Sequence, residues 1–108
     1  MATFQTGLIN LGSTNPSELL SGNTSTFTQV NFPTPFPAGS KVIVVPMVQT
    51  FNGAHTPGLR IANVTNVGFM IRMNEVVCQQ PGQPTQPLSD GSHVNESIGY
   101  VAFTVDIR

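Results

Sequence analysis

The stretch "KVIVVPMVQT", Lys41 to Thr50, is an almost unbroken apolar run rich in β-branched residues. A run of that length reads as a strand, either buried on both faces or set in the core of a sandwich. Pro46 removes one ladder donor, which places a bulge there or puts the strand at a sheet edge. Just upstream, "FPTPFPAGS" (32–40) carries Pro33, Pro35 and Pro37 where missing N–H groups do little harm, and reads as a rigid extended approach or bend. Downstream, "FNGAHTPG" (51–58) has the Asn-Gly and Pro-Gly signals of a loop.

The rest of the chain alternates in the same way. "TFQTGLINLG" (3–12) contains an opening strand, and "TSTFTQVNF" (24–32) sets Phe27, Gln29 and Asn31 against Thr26, Thr28 and Val30. After "LRIANVT" (59–65), "GFMIRMNEV" (68–76) puts Phe69, Ile71 and Met73 on one face and Met70, Arg72 and Asn74 on the other. "CQQPGQPTQPLSDGS" (78–92) is a long polar loop, and "SIGYVAFTVDI" (97–107) sets Ile98, Tyr100 and Ala102 against Gly99, Val101 and Phe103. Helical periodicity is confined to "NPSELLSG" (15–22), enough for a turn or two. Six or seven short strands at this spacing predict an all-β chain, a six- to seven-stranded antiparallel β-sandwich occupying residues 1–108 as one domain.

Charged residues make up 8 % of the chain and the net charge is −1, so nothing in the composition attracts a phosphate backbone, and a nucleic-acid partner is not expected. Polarity comes instead from Thr, Ser, Asn and Gln, with 10 Gly and 9 Pro for turns, a mixture typical of extracellular or virion β-proteins. No apolar run approaches the length of a membrane span, and the first residues lack the basic and apolar regions of a signal peptide. The lone Cys78 excludes an internal disulfide and reads as a packed or idle thiol, with an intermolecular bridge as the alternative. Asn23, Asn63 and Asn95 each begin an N-x-Ser/Thr pattern, which chance alone can produce in so Asn- and Thr-rich a chain.

The stretch "DGSHVNESIGYVAF" (90–103) gathers an aspartate, a histidine and a glutamate. Neighbouring side chains of a strand point to opposite faces, so Asp90, Ser92 and His93 do not make a catalytic triad, and no G-x-S-x-G elbow occurs elsewhere. An enzyme is not expected. Acidic residues are too scattered for a dedicated metal loop, leaving at most a weak calcium contribution from Asp90-Gly91-Ser92; no cofactor is expected. Glu96 and His93 are read as pairing across strands with Arg72 or Glu75, so that Arg72, Glu75 and Glu96 form a structural or interface network.

Taken in order, "FQTG", "NFPTPFPAGSKVIVVPMVQTFNG", "LRIANVTNVGFMIRMNE" and "HVNESIGYVAF" resemble the H-type lectin domain, the snail agglutinin family, and especially a bacterial and phage-associated branch of it. The most specific parts are Phe32 with Pro35-Phe36, Arg60 with Asn63-Val64-Thr65 and Gly68-Phe69, and Tyr100-Val101-Ala102. The resemblance implies a six-stranded sandwich, a homotrimer or hexamer, and binding of glycans of the galactose or N-acetylgalactosamine type in adhesion, outside the cell, at its surface or on a virion. In the family the sugar is held by an early loop, by an arginine before the "NVT" strand and by an aromatic-His pair before the last strand. Here the early loop falls at Leu19 to Asn23 without an aspartate, the ligand arginine falls near His55-Thr56, Arg60 matches a structural-looking arginine, and the aromatic-His pair falls near Leu88-Ser89. Asn52, His55, Asp90, His93 and Asn95 are the sugar-binding candidates, the amides as two-way partners, Asp90 as acceptor and the histidines as donors. The alternative is a structural trimerisation or docking module of a phage tail, fibre or capsid decoration with no sugar binding.

Overall fold

The computed structural model describes residues 4–13, 20–54, 57–74, 77–78, 86–87 and 93–105, with 77–78 and 86–87 as backbone only. The described residues are all-β, with no helix among them. In chain order the strands are β1 (Phe4–Ser13), β2 (Thr28–Asn31), β3 (Val42–Val48), β4 (Gly58–Ala62), β5 (Gly68–Asn74), β6 (Val77–Cys78), β7 (Gln86–Pro87) and β8 (His93–Thr104). Two antiparallel three-stranded sheets result, sheet A in the order β1-β8-β3 and sheet B in the order β2-β5-β4. The pair β6-β7 forms a small separate ribbon inside what the sequence reads as a long loop, with Cys78 opposite Gln86. The turn or two of helix expected in 15–22 lies mostly outside the described residues.

The central strands are those whose alternation is cleanest. In β8, Ile98, Tyr100 and Ala102 are buried, and in β5, Phe69, Ile71 and Met73 are buried. These two rows face each other with Leu11, Val30, Phe32, Phe36 and Val44 in one core, an arrangement compatible with a sandwich. Its centre is aromatic: the rings of Phe69 and Tyr100 meet edge-on at 5.1 Å, and Phe32 lies 5.3 Å from Phe36 and 5.8 Å from Phe69. Edge-to-face packing of this kind adds about 0.5–1.5 kcal/mol per pair beyond burial. Burial also pushes the Tyr100 phenol above its ordinary pKa. Gly7 makes room for that ring, since a Cβ there would lie 2.3 Å from Tyr100 Cζ.

The proline-rich segment 32–40 locks onto the β4–β5 turn. The N–H of Phe32 donates to Val67 O at 2.9 Å, that of Phe36 to Asn66 O at 2.8 Å, and Asn66 Nδ2 returns a bond to Phe36 O at 3.1 Å. Phe32 and Phe36 thus enter the core while Pro33 and Pro35, with no N–H to satisfy, stay in water.

The topology decides between the alternatives that the sequence leaves open for β3. β3 is an edge strand paired in unbroken register with β8, Pro46 opposite Tyr100, so the proline marks the edge and makes no bulge. Nor is β3 buried on both faces: Val44 lies in the core, whereas Ile43, Val45 and Met47 are exposed. The one irregularity of sheet A lies between Leu11 and Ser13, where β1 shifts against β8.

Candidate functional site

The six strands of the two sheets run alternately up and down, so the segments 12–13, 20–27, 49–54, 58, 74 and 93–95 share one end of the molecule. Two polar constructions are built there. The first is centred on Glu96, which continues the inward-facing row of Ile98, Tyr100 and Ala102 and therefore carries its carboxylate to the rim of the core, 3 % exposed. An unpartnered charge there would be costly, and the loop after β3 supplies its partners. Thr50 Oγ1 donates to Glu96 Oε1 at 2.6 Å, and the backbone N–H groups of Asn52 and Gly53 donate to the carboxylate at 2.9 Å each.

Successive amides converging on an anion form a small nest, which the Asn-Gly pair allows. The Thr50 hydroxyl oxygen also accepts from the N–H of Ser97 at 2.9 Å, and Asn52 Nδ2 donates to Asn95 O at 3.0 Å. The Thr50 hydroxyl first, then the Asn52 and Gly53 amides, hold the Glu96 carboxyl below the ordinary 4.5; partial burial opposes them, and the charge of His93 assists.

One consequence is a loop fixed at both sides of Phe51. That ring is 89 % exposed, the most exposed large apolar side chain among the described residues. Asn52 and Asn95 are exposed beside it, and His93 is half-buried. The Asn95 side chain lies over Gly12, where a Cβ would sit 2.3 Å from its Oδ1. Three of the five sugar candidates, Asn52, His93 and Asn95, are therefore brought to one end of β8; His55 and Asp90 lie outside the described residues, as does Glu75.

Arg72 and Glu96 do not pair across strands, because β5 and β8 belong to different sheets. Each finds a hydroxyl partner instead, Glu96 in Thr50 and Arg72 in Thr26, to which Nη1 donates at 2.5 Å. Arg72 projects from the outer face of sheet B yet is only 3 % exposed.

Beside it lies the second construction, a cleft of about 370 Å³ on that outer face, between segment 20–27 and the strands β4 and β5. Its rim is a tight turn. The N–H of Asn23 donates to Leu20 O at 3.1 Å, that of Phe27 to Thr24 O at 3.0 Å, and Asn23 Oδ1 accepts from the N–H of Ser25 at 3.2 Å. Gly22, at φ 82°, takes the left-handed conformation that this turn needs.

Arg60, directly opposite Arg72 in register, lines the cleft with Ser21, Asn23, Thr24, Phe27 and Asn74. Arg60 is exposed. Nothing in the residue types near it signals this cleft; the signal available was the early-loop position, whose described residues 20–23 line the same cleft as Arg60, Leu19 lying outside the described residues.

Among the described residues no group of three or more His, Cys, Asp or Glu side chains is placed to hold a metal ion, and no helix is long and apolar enough to cross a membrane. No family model matches the chain, and neither a curated protein nor a solved structure matches it.

Proposed function

We propose that the chain is a carbohydrate-binding module, taking glycans of the galactose or N-acetylgalactosamine type in adhesion or recognition outside the cell, at its surface or on a virion. The observation that carries this is the composition of the outer cleft of sheet B: one exposed guanidinium, two amides, two hydroxyls and an aromatic ring, beside the aliphatic Leu20, Ile61 and Ala62, around about 370 Å³. That volume is at the small end of small-molecule sites. A sugar offers vicinal hydroxyls that both donate and accept, and one flat C–H face. Asn23 and Asn74 match the two-way hydroxyls, Arg60 donates to a pair of oxygens, and Phe27 offers an apolar surface for the ring.

Sugar hydroxyls are already well solvated, so exchanging them yields little net energy and a single site of this kind is weak. Presentation on a homotrimer or hexamer raises its effect through multivalency. The amides of Asn52 and Asn95 with the exposed Phe51 ring provide a second surface of the same chemistry at the same end of the molecule. His93 stands beside it, and His55 and Asp90 belong to the same segments in sequence.

The test is a glycan array together with sugar-dependent melting. A galactose-type sugar is expected to raise the midpoint of the wild type and not that of Arg60→Ala. A protein with no hit on the array and no melting response to any sugar sinks the proposal. The non-binding alternative, a structural trimerisation or docking module, draws on a different observation, the uncharged outer face of sheet A.

A further inference from the structure

The outer face of sheet A is an apolar surface assembled from three strands. Alternation and register set it out in rows: Phe4, Phe103 and Ile43; then Thr6, Val101 and Val45; then Leu8, Gly99 and Met47. No charged side chain stands in these rows. Phe4 is 72 % exposed, Leu8 68 % and Met47 64 %, with Ile43, Val45 and Val101 also exposed. Side chains of this size offer roughly 150–200 Å² each, so their exposed parts amount to roughly 600 Å², the upper end of what a monomer carries as its largest apolar patch. With the Thr6 hydroxyl in the middle row and the polar rim of Asn10 and Gln49, the face approaches the ~800 Å² per partner of a stable interface.

We propose that this face is buried against a second copy of the same chain. Three features select that occupant. The rows hold no charge, so the surface has no electrostatic address for a charged partner and is matched best by an equally uncharged one, which the face itself is. It also carries both halves of a fit: Leu8 and Met47 stand as ridges on either side of Gly99, and between them runs a groove of about 420 Å³ lined by Val101 and by the Gln49 side chain, which lies over Gly99. A symmetry-related copy offers the same ridges to the same groove, which is the self-complementarity that a two-fold contact requires. Finally, Pro46 interrupts the donor row along the β3 edge, so a partner gains more from the face than from adding a strand at that edge.

The inference stands without the sugar proposal; a two-fold contact through this face pairs two chains, or joins two trimers into a hexamer, and either raises the number of sites presented together. Light scattering on the purified chain, followed by the double variant Leu8→Lys, Met47→Lys, tests it. The wild type is expected at a multiple of the 11.5 kDa chain mass and the variant at the single-chain mass with an unchanged far-ultraviolet spectrum. Should the double variant fail to fold, Thr6→Lys alone places a charge in the middle row without removing a packed group, and is expected to weaken assembly with rising dilution. Gln29→Lys, on the outer face of sheet B, is the control that leaves the assembly intact. A wild type of single-chain mass at every concentration overturns the inference, as does a folded double variant that still assembles. Sugar-dependent melting in a monomeric wild type would overturn this inference alone, and an assembly that ignores every sugar would overturn the other alone.

Discussion

The two sheets share one core but turn very different faces outward. Sheet A presents Phe4, Leu8, Ile43, Val45, Met47 and Val101 with no charge among its rows, while sheet B presents Gln29, Asn31, Arg60, Arg72 and Asn74 and covers part of that surface with segment 20–27. An antiparallel sheet with one face in water normally alternates apolar and polar along each strand, and sheet B follows that rule. Sheet A breaks it. The chain therefore has one surface suited to a hydrogen-bonding small molecule and one suited to an apolar partner, on opposite sides of the same core.

The largest expected effect removes what both faces depend on. Phe69→Ala takes out a fully buried ring in contact with Phe32 and Tyr100, and should cost about 3–5 kcal/mol in denaturant unfolding. Both the sugar response and the assembly should fall with it, because neither face exists without the core. A loss confined to one of them would show that the two sheets are less tightly coupled than their shared core implies.

Next in size is the loop at Glu96. A carboxyl whose folded pKa lies below its unfolded value adds stability above that unfolded value and loses it as pH falls through the folded one. For Glu96 the loss should begin as pH drops past the ordinary 4.5 and be complete once the folded group is protonated. Melting as a function of pH should show this step in the wild type and not in Glu96→Gln, which keeps the shape but cannot bear the charge. The variant should already be less stable at neutral pH, since its amide presents a donor toward the N–H groups of Asn52 or Gly53. An unaltered acid profile in Glu96→Gln would mean that the loop is held by something other than the carboxylate.

Arg60→Ala should change stability by no more than about 0.5 kcal/mol, as an exposed side chain away from the core, while abolishing the melting response to sugar. The two readouts separate a binding residue from a structural one. Smallest of all is Val45→Thr on the outer face of sheet A. In an isolated chain it should leave the melting point nearly unchanged at any concentration; in an assembled one it should weaken the dependence of the melting point on protein concentration. Comparing the melting point across a dilution series of both proteins distinguishes these cases.

Much of the fold is legible in the sequence where alternation is strict. Phe69, Ile71 and Met73 are all buried, as are Ile98, Tyr100 and Ala102, and Pro46 marks an edge. "KVIVVPMVQT" misleads because an apolar residue reports that a face avoids water without saying what covers it. Val44 is covered by the opposite sheet, whereas Val45 and Met47 await cover that a single chain does not provide. Strand neighbours are less legible: nothing in the residue types tells that β8 sits between β1 and β3, and so Arg72 and Glu96 look like a pair when they belong to different sheets. The partners of Glu96 are beyond reach for another reason. Two of the three are backbone N–H groups of residues more than forty positions away, and every residue but proline carries one. The cleft around Arg60 was hidden likewise, because segment 20–27 and β4 meet only through the fold.

The sugar proposal is tested most directly by following the backbone amides in a two-dimensional nuclear magnetic resonance titration with N-acetylgalactosamine. Saturable shifts are expected at Ser21 to Thr24, Arg60 and Asn74, with Arg60→Ala silencing them and the outer face of sheet A unmoved. No saturable shift anywhere, or shifts confined to the rows of sheet A, would contradict a glycan site on this chain's polar face.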